Sequence, residues 1–198
     1  MRVVVATGNA GKLAELRDLL GDSGLDLVAQ TDLGIGDAEE TGSTFIENAL
    51  IKARHAARAS GLPALADDSG LLVDALHGAP GLHTARYAGP QASASDNIGK
   101  LLQALDGVPD GQRGARFYAC LVLLRGADDP LPLISEGEWR GRILTAARGQ
   151  GGFGYDPVFF DPALDASAAE LDEAVKNRLS HRGRAVAALR QRLAGADL

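Results

Sequence analysis

The sequence of 198 residues has little of what marks several common classes of protein. No apolar run approaches the roughly 20 residues that a membrane-spanning helix requires, so no membrane partner is expected. We expect no signal peptide, because the short apolar run after Met1 ends at a polar turn. The single cysteine, Cys120, allows no disulfide within the chain, and its apolar neighbours predict a small buried side chain. These features favour a cytoplasmic globular protein.

The chain also lacks a segregated basic region. Its formal charge is −6, and acidic and basic residues are interspersed along its length. A protein that holds long nucleic acid usually has a basic face, so a nucleic acid polymer is not an expected partner. Any anionic ligand must be held by local lysines and arginines, with a divalent metal ion as well if the ligand is a triphosphate.

Strand and helix patterns alternate along the whole sequence. Apolar runs predict strands at 3–6, 25–29, 63–66, 71–73, 115–125, 131–144 and 158–160. Residues 63–73 are interpreted as two short strands around an acidic turn, and 115–144 as an antiparallel pair. Apolar residues at helical spacing predict helices over 13–20, from a capping box at Thr44 and Glu47 through Ser60, over 97–105, from a capping box at Ser167 through Leu179, and over 185–193. The predicted fold class is therefore α/β, a mixed β-sheet flanked by helices in one domain over 1–198.

The turn from Thr7 to Lys12 follows the first predicted strand and precedes the first predicted helix. This order presents backbone N–H groups, a helix N-terminus and one ammonium to a common point that suits a phosphate. A strand, turn and helix that bind nothing is the plain alternative. A Walker-type loop is excluded, because it needs four residues between its glycines and a hydroxyl after the lysine, whereas Gly8 and Gly11 are separated by two residues and Leu13 follows Lys12.

A second glycine-rich segment, 149–154, has the letters of the dinucleotide-binding fingerprint. That fingerprint requires a helix to begin inside the motif, but a strand pattern at 158–160 follows here. The segment is therefore interpreted as a loop that displays Phe153, Tyr155 and Asp156.

Asp67 and Asp68 end an apolar run, so their side chains are expected on opposite faces of a strand, one inside and one in a cleft. An ordinary Asp-Ser-Gly turn is the alternative. Mg²⁺ needs only one or two carboxylates besides phosphate oxygens and water, so one of these acids and one acid from 37–40 would suffice.

The segment from Lys176 to Gly183 carries several basic residues between two predicted helices. Ser180 and His181 do not indicate a hydrolytic nucleophile, because adjacent residues rarely reach the required geometry and no nucleophile elbow surrounds them. Compensation of a helix dipole is the alternative role for the basic residues. These basic residues, the turn from Thr7 to Lys12, Lys52 and the acids near Asp68 together form a set typical of a nucleoside triphosphate site. Hydrolysis is the simplest chemistry for such a site.

These motifs resemble a known family, the inosine triphosphate or non-canonical purine nucleoside triphosphate pyrophosphatases, also called Ham1-like or RdgB-like proteins. The segments that carry the resemblance lie in family order at 7–12, 39–49, 66–71, 78–87, 152–157 and 180–182.

The resemblance implies an elongated mixed sheet with a cleft between two lobes, a homodimer in the cytoplasm, and Mg²⁺-dependent cleavage of ITP, dITP and XTP to the monophosphate and pyrophosphate. It implies that Asp68 is the general base and a metal ligand and that Glu39 is the second metal ligand, with the adjacent Glu40 as the alternative. The substrate contacts that it implies are Thr7, Gly8, Asn9, Ala10, Gly11, Lys12, Ser69, Phe153, Gly154, Tyr155, Asp156, Lys176, His181 and Arg182.

Two other functions are compatible with the same residues. A Maf-like nucleotide pyrophosphatase would prefer other bases, and a non-catalytic sensor would bind the nucleotide without turnover. A substrate panel that includes dTTP and UTP distinguishes the first, and an assay of pyrophosphate release with Mg²⁺ and with EDTA distinguishes the second.

Overall fold

The computed structural model describes residues 1–195, so the last three residues of the predicted domain lie outside the described part of the chain. Within residues 1–195 the strands are β1 (Arg2–Ala6), β2 (Asp26–Ala29), β3 (Ala64–Val73), β4 (Gly114–Leu124), β5 (Leu133–Ile143), β6 (Phe159–Asp161) and β7 (Ala166–Ser167). The α-helices are α1 (Ala10–Leu20), α2 (Phe45–Ser60), α3 (Ala94–Ala104), α4 (Glu173–Leu179) and α5 (His181–Ala194). The strands form one sheet in the order β2-β1-β3-β4-β5-β6-β7. The predicted class, a mixed α/β sheet with helices, is confirmed.

The chain divides into two compact units. The first comprises Met1–Asp68, Ala119–Gly137 and the chain from His181 onward, and the second comprises Ser69–Tyr118 and Glu138–Ser180. The elongated shape, the two lobes and the cleft that the resemblance implies stay predictions.

Parallel pairing joins β1 to its two neighbours in the first unit. β1 pairs in parallel with β2 on one side and with the start of β3 on the other. Val3, Val4 and Val5 are all fully buried, as expected for a parallel strand covered on both faces. The core of this unit consists of Val3, Val5, Leu16, Leu20, Leu65, Ala119, Leu121, Leu123, Ala185, Val186 and Leu189. Cys120 is buried beside this core, which confirms the prediction of a small buried side chain, and burial raises the pKa of its thiol to about 12.

Three aromatic rings pack together in the core of the second unit. The ring centroid of Phe159 lies 4.5 Å from that of Phe117 and 5.1 Å from that of Trp139. The indole N–H of Trp139 donates a hydrogen bond of 2.7 Å to Asp161, so the polar group of this buried side chain has a partner. β6 pairs antiparallel with the end of β5 on one side and with β7 on the other, which gives the sheet its mixed character.

Two sequence-based boundaries are wrong. Residues 64–73 form one continuous strand, not two strands around a turn. The Ser167 capping box closes a short 3₁₀ turn at Ala168–Glu170, and α4 begins separately with Asp172 as its N-cap. In both places a polar local sequence has a turn signal, but the tertiary structure determines where the chain bends.

Candidate functional site

The turn between β1 and α1 is fixed by its own side chains. Asn9 is the N-cap of α1, and its side-chain oxygen accepts a hydrogen bond of 3.0 Å from the backbone N–H of Lys12. The backbone N–H of Asn9 in turn donates to the hydroxyl of Thr7 over 3.1 Å. A Cβ at Gly8 would lie 2.8 Å from a carboxylate oxygen of Asp37, so glycine lets the two segments approach. The turn therefore brings a helix N-terminus and Lys12 to one place, as the sequence predicts.

The first aspartate of the β3 pair belongs to a buried ionic network. The guanidinium of Arg182, at the start of α5, donates to Asp67 over 2.5 Å and also to Glu15 on α1. The ammonium of Lys12 lies 3.6 Å from the other carboxylate oxygen of Asp67. Arg182 is only 2% exposed. Its side chain therefore cross-links α1, β3 and α5, which is a structural arrangement that the sequence alone does not reveal.

The second aspartate belongs to a different cluster. The ammonium of Lys52, on α2, lies 2.6 Å from Asp68 and 3.0 Å from Glu40. The same ammonium donates to the backbone carbonyl of Asp67 over 2.9 Å. Asp67 and Asp68 thus have different cationic partners, as expected for neighbouring residues on opposite faces of a strand. We call Lys52, Asp68 and Glu40 the Lys52 cluster.

Burial and charge separate the pKa values of the two aspartates. Burial would raise the pKa of Asp67, but Arg182 and Lys12 outweigh it and hold that pKa well below its usual range. Burial raises the pKa of Asp68, although Lys52 and Lys12 oppose this effect. Burial also lowers the pKa of Lys12, against the opposing charge of Asp67. Asp67 therefore carries a stable negative charge, and the carboxylate of Asp68 is more basic than that of Asp67.

The Lys52 cluster fits a hard divalent cation. One oxygen of Asp68 and one of Glu40 contact the same nitrogen, so both oxygens lie within reach of a single cation. Among residues 1–195 no group of three or more His, Cys, Asp or Glu side chains encloses a metal position. Mg²⁺ does not require one, because it takes one or two carboxylates and completes its shell with phosphate oxygens and water. Glu39 is exposed, so the structure places Glu40 and not Glu39 in this cluster.

A glycine-rich loop in the second unit presents an aromatic ring over a charged pair. The carboxylate of Asp156 accepts a hydrogen bond of 2.8 Å from the backbone N–H of Phe153 and lies 2.7 Å from the ammonium of Lys176. That ammonium is 4.9 Å from the centroid of the Phe153 ring, which is 38% exposed. Gly152 has a φ of +70°, and a side chain there would overlap the Asp156 carboxylate. The loop thus holds Phe153 as an accessible stacking surface.

Four further residues that the sequence predicts as substrate contacts lie in different surroundings. The hydroxyl of Tyr155 donates over 2.9 Å to the carbonyl of Thr84, and the ring belongs to the core, so this side chain is structural. Ser69 is half-buried in β3, directly after Asp68. Gly154 adopts a φ of +62° in the Phe153 loop. His181 is buried at the first position of α5.

The structure assigns the predicted site residues to the two units as follows. Thr7, Gly8, Asn9, Ala10, Gly11, Lys12, Glu39, Asp68, His181 and Arg182 lie in the first unit, and Ser69, Phe153, Gly154, Tyr155, Asp156 and Lys176 lie in the second. Sequence analysis missed Glu15. Position 15 lies off the apolar face of Leu13, Leu16 and Leu20, so helical periodicity gives no signal for the burial of Glu15.

The chain is similar to proteins of known family. The model of the Ham1 family matches residues 3–192. A dITP/XTP pyrophosphatase from Methylococcus capsulatus is 62% identical over 192 residues, which cover 97% of this chain and 96% of that protein. A dITP/XTP pyrophosphatase from Xanthomonas campestris pv. campestris is 61% identical over 191 residues and 96% of each chain. The solved structure of a HAM1 protein from Coxiella burnetii superposes with a TM-score of 0.91 at 48% identity, covering 99% of this chain and 100% of that one. The sequence and the fold together establish that the chain belongs to the Ham1 family.

Proposed function

We propose that this chain hydrolyses non-canonical purine nucleoside triphosphates, with dITP and XTP as substrates, to the monophosphate and pyrophosphate, and that it uses Mg²⁺. The observation that carries the proposal is the Lys52 cluster, in which a buried carboxylate of raised pKa and a second carboxylate share one cation. Family membership and relatives named dITP/XTP pyrophosphatase support the same activity.

Asp68 is suited to act as the general base. Its raised pKa makes it a better proton acceptor than an ordinary aspartate, so it can take the proton of a water that attacks the α-phosphorus. Asp67 cannot share this role, since Arg182 and Lys12 hold its pKa low and its side chain is buried. Asp68 and Glu40 would hold the magnesium ion, which when bound supplies Lewis-acid stabilisation of charge on the phosphate oxygens.

Two features of the first unit suit the negative charge of a triphosphate. The N-terminus of α1 offers unpaired backbone N–H groups and a positive dipole end. Lys12 adds an ammonium beside Asp67, and a bound phosphate would offset the burial that lowers the pKa of this lysine. Charge on the departing pyrophosphate would be stabilised by these groups.

Selectivity requires a hydrogen-bond donor for the purine C6 carbonyl, since adenine has an amine at this position. The side chain of Arg182 is 2% exposed, and its guanidinium donates to Asp67 and Glu15. Backbone N–H groups in the first turn of α5 and the ring of His181 are further donors of this segment. Because adenine would leave such a donor unpaired, the donor would favour purines with a C6 carbonyl over adenine by roughly 10⁴-fold. The shape of a pocket alone gives about 10–200-fold selectivity.

The decisive experiment measures the product and its dependence on Asp68. With Mg²⁺, the protein should release pyrophosphate from dITP and XTP, and not from dTTP or UTP, and EDTA should abolish the release. Asp68→Asn should remain folded by circular dichroism and lose at least about 10²-fold in kcat, the usual contribution of a positioned base.

Asp128→Asn, a change at an exposed aspartate, is the matched control and should keep full activity. Orthophosphate as the product would place the attack at the γ-phosphorus and refute the proposed reaction. Binding of dITP without turnover would indicate a sensor, and turnover of dTTP or UTP would favour a Maf-like enzyme.

The proposal includes a homodimer located in the cytoplasm. Within the described residues no helix is long and apolar enough to cross a membrane. Light scattering coupled to size-exclusion chromatography should give twice the mass of the 20.5 kDa chain, and cell fractionation should recover the protein with cytoplasmic markers.

A further inference from the structure

Lys52 fills the place between the two carboxylates that would bind a metal ion. Its ammonium contacts Asp68, Glu40 and the carbonyl oxygen of Asp67 at 2.6, 3.0 and 2.9 Å. An ammonium has three N–H groups, and the three contacts match them in number. The Lys52 side chain is 13% exposed, so water screens these three contacts only weakly. The two carboxylates are thus already neutralised in part by a cation of the protein itself.

The position of Lys52 is fixed by a well-anchored helix. α2 begins at a complete capping box of Thr44 and Glu47, and Ala49 and Ala53, on either side of Lys52, are fully buried. The anchored helix and the three contacts hold the Lys52 ammonium between the two carboxylates.

From this geometry we infer that Lys52 is a resident counter-ion that competes with the divalent metal ion for Asp68 and Glu40. The inference rests on the proposed function, because that function supplies the metal ion. A metal ion that binds both carboxylates must take them from the Lys52 ammonium. In the absence of nucleotide the displaced ammonium loses its anionic partners, so the metal ion binds weakly. A triphosphate supplies replacement anions for the ammonium, so metal and nucleotide should bind cooperatively.

The first test measures Mn²⁺ binding by electron paramagnetic resonance without nucleotide. Lys52→Gln should bind Mn²⁺ at least tenfold more tightly than the wild type, because repulsion between a monovalent and a divalent cation about 4 Å apart exceeds a tenfold change in affinity even in bulk water. Lys52→Arg keeps the charge and should not tighten binding. Glu40→Gln added to Lys52→Gln should abolish the gain, which locates the ion at this cluster. Mn²⁺ binding by Lys52→Gln that equals or falls below that of the wild type would overturn the inference.

The second test needs no variant to remain folded. The chain has only four lysines, Lys12, Lys52, Lys100 and Lys176, so their ammonium groups can be resolved by NMR of ¹⁵N-lysine-labelled wild-type protein. Saturating Mg²⁺ should shift the Lys52 ammonium signal and speed its proton exchange, while the signal of Lys100, which contacts Tyr87, stays unchanged. An unshifted Lys52 signal at saturation would also overturn the inference.

The two proposals fail separately. If the wild type releases pyrophosphate from dITP but Lys52→Gln shows no gain in Mn²⁺ affinity, the counter-ion role is wrong and the proposed function stands. If Mn²⁺ binding tightens as expected but no pyrophosphate appears, the counter-ion role stands and the proposed function is wrong.

Discussion

Replacing Asp67 by asparagine should destabilise the fold, whereas the same change at Asp68 should not. Asparagine has nearly the same size as aspartate, so the change removes charge without creating a cavity. Removing one partner of a buried ion pair costs about 3–5 kcal/mol. Arg182 keeps Glu15 as a partner, so we expect the lower end of this range, about 3 kcal/mol, for Asp67→Asn. A loss of that size lowers the Tm of a chain of this length by about 6–12 °C.

The directions of the pKa shifts explain the contrast between the two residues. The pKa of Asp67 is lower in the folded state than in the unfolded state, so its charged form stabilises the fold. Burial raises the pKa of Asp68 in the folded state, so its charged form opposes folding even with Lys52 beside it. In Asp68→Asn the Lys52 ammonium keeps Glu40 and the carbonyl of Asp67 as partners, so no cation is left unpaired. We therefore expect Asp68→Asn to stay within about 1 kcal/mol of the wild type.

The pH dependence follows from the same reasoning. The contribution of Asp67 is fully present above its unfolded pKa of about 3.9 and is lost as the pH falls through its lower folded value. Urea denaturation at pH 7 should therefore show the whole deficit of Asp67→Asn, and the deficit should shrink as the pH is lowered below about 4. A deficit under 1 kcal/mol at pH 7, or an equal deficit for Asp68→Asn, would refute the division of roles between the two aspartates.

Two further substitutions test the packing of α5 and the aromatic loop. A Cβ at Gly137 would overlap the carbonyl of His181 and lie 2.6 Å from the Ala185 nitrogen, so Gly137→Ala should cost about 3 kcal/mol in urea denaturation. Gly126→Ala, where a Cβ meets no atom within 4 Å, should change stability by less than about 0.5 kcal/mol, and equal effects at the two glycines would contradict the packing argument. If Phe153 stacks on the base, Phe153→Ala should raise KM for dITP about 5–150-fold without changing Tm, since base stacking contributes about 1–3 kcal/mol. Leu131→Ala, at a residue 69% exposed, is its control, and an unchanged KM for Phe153→Ala would remove Phe153 from the substrate contacts.

Much of the fold and part of the candidate site follow from local sequence. The capping box of Thr44 and Glu47 sets the start of α2, and the side chain of Asn9 sets the start of α1, because each bond is made within one helical turn. The alternation of Asp67 and Asp68 across β3 is likewise a property of any strand. The sequence order of motifs was enough to indicate the family, which the comparisons then confirmed.

Only the tertiary structure decided which partner each charged group has. Asp67 is a structural anion because Arg182 lies against it, 115 positions further along the chain. Glu40, and not its neighbour Glu39, contacts Lys52 because the loop before α2 turns the Glu40 carboxylate toward that ammonium. Glu15 is a buried anion because α5 brings Arg182 against α1. Such pairings depend on where elements that are distant in sequence meet, and neither helical periodicity nor strand alternation contains that information.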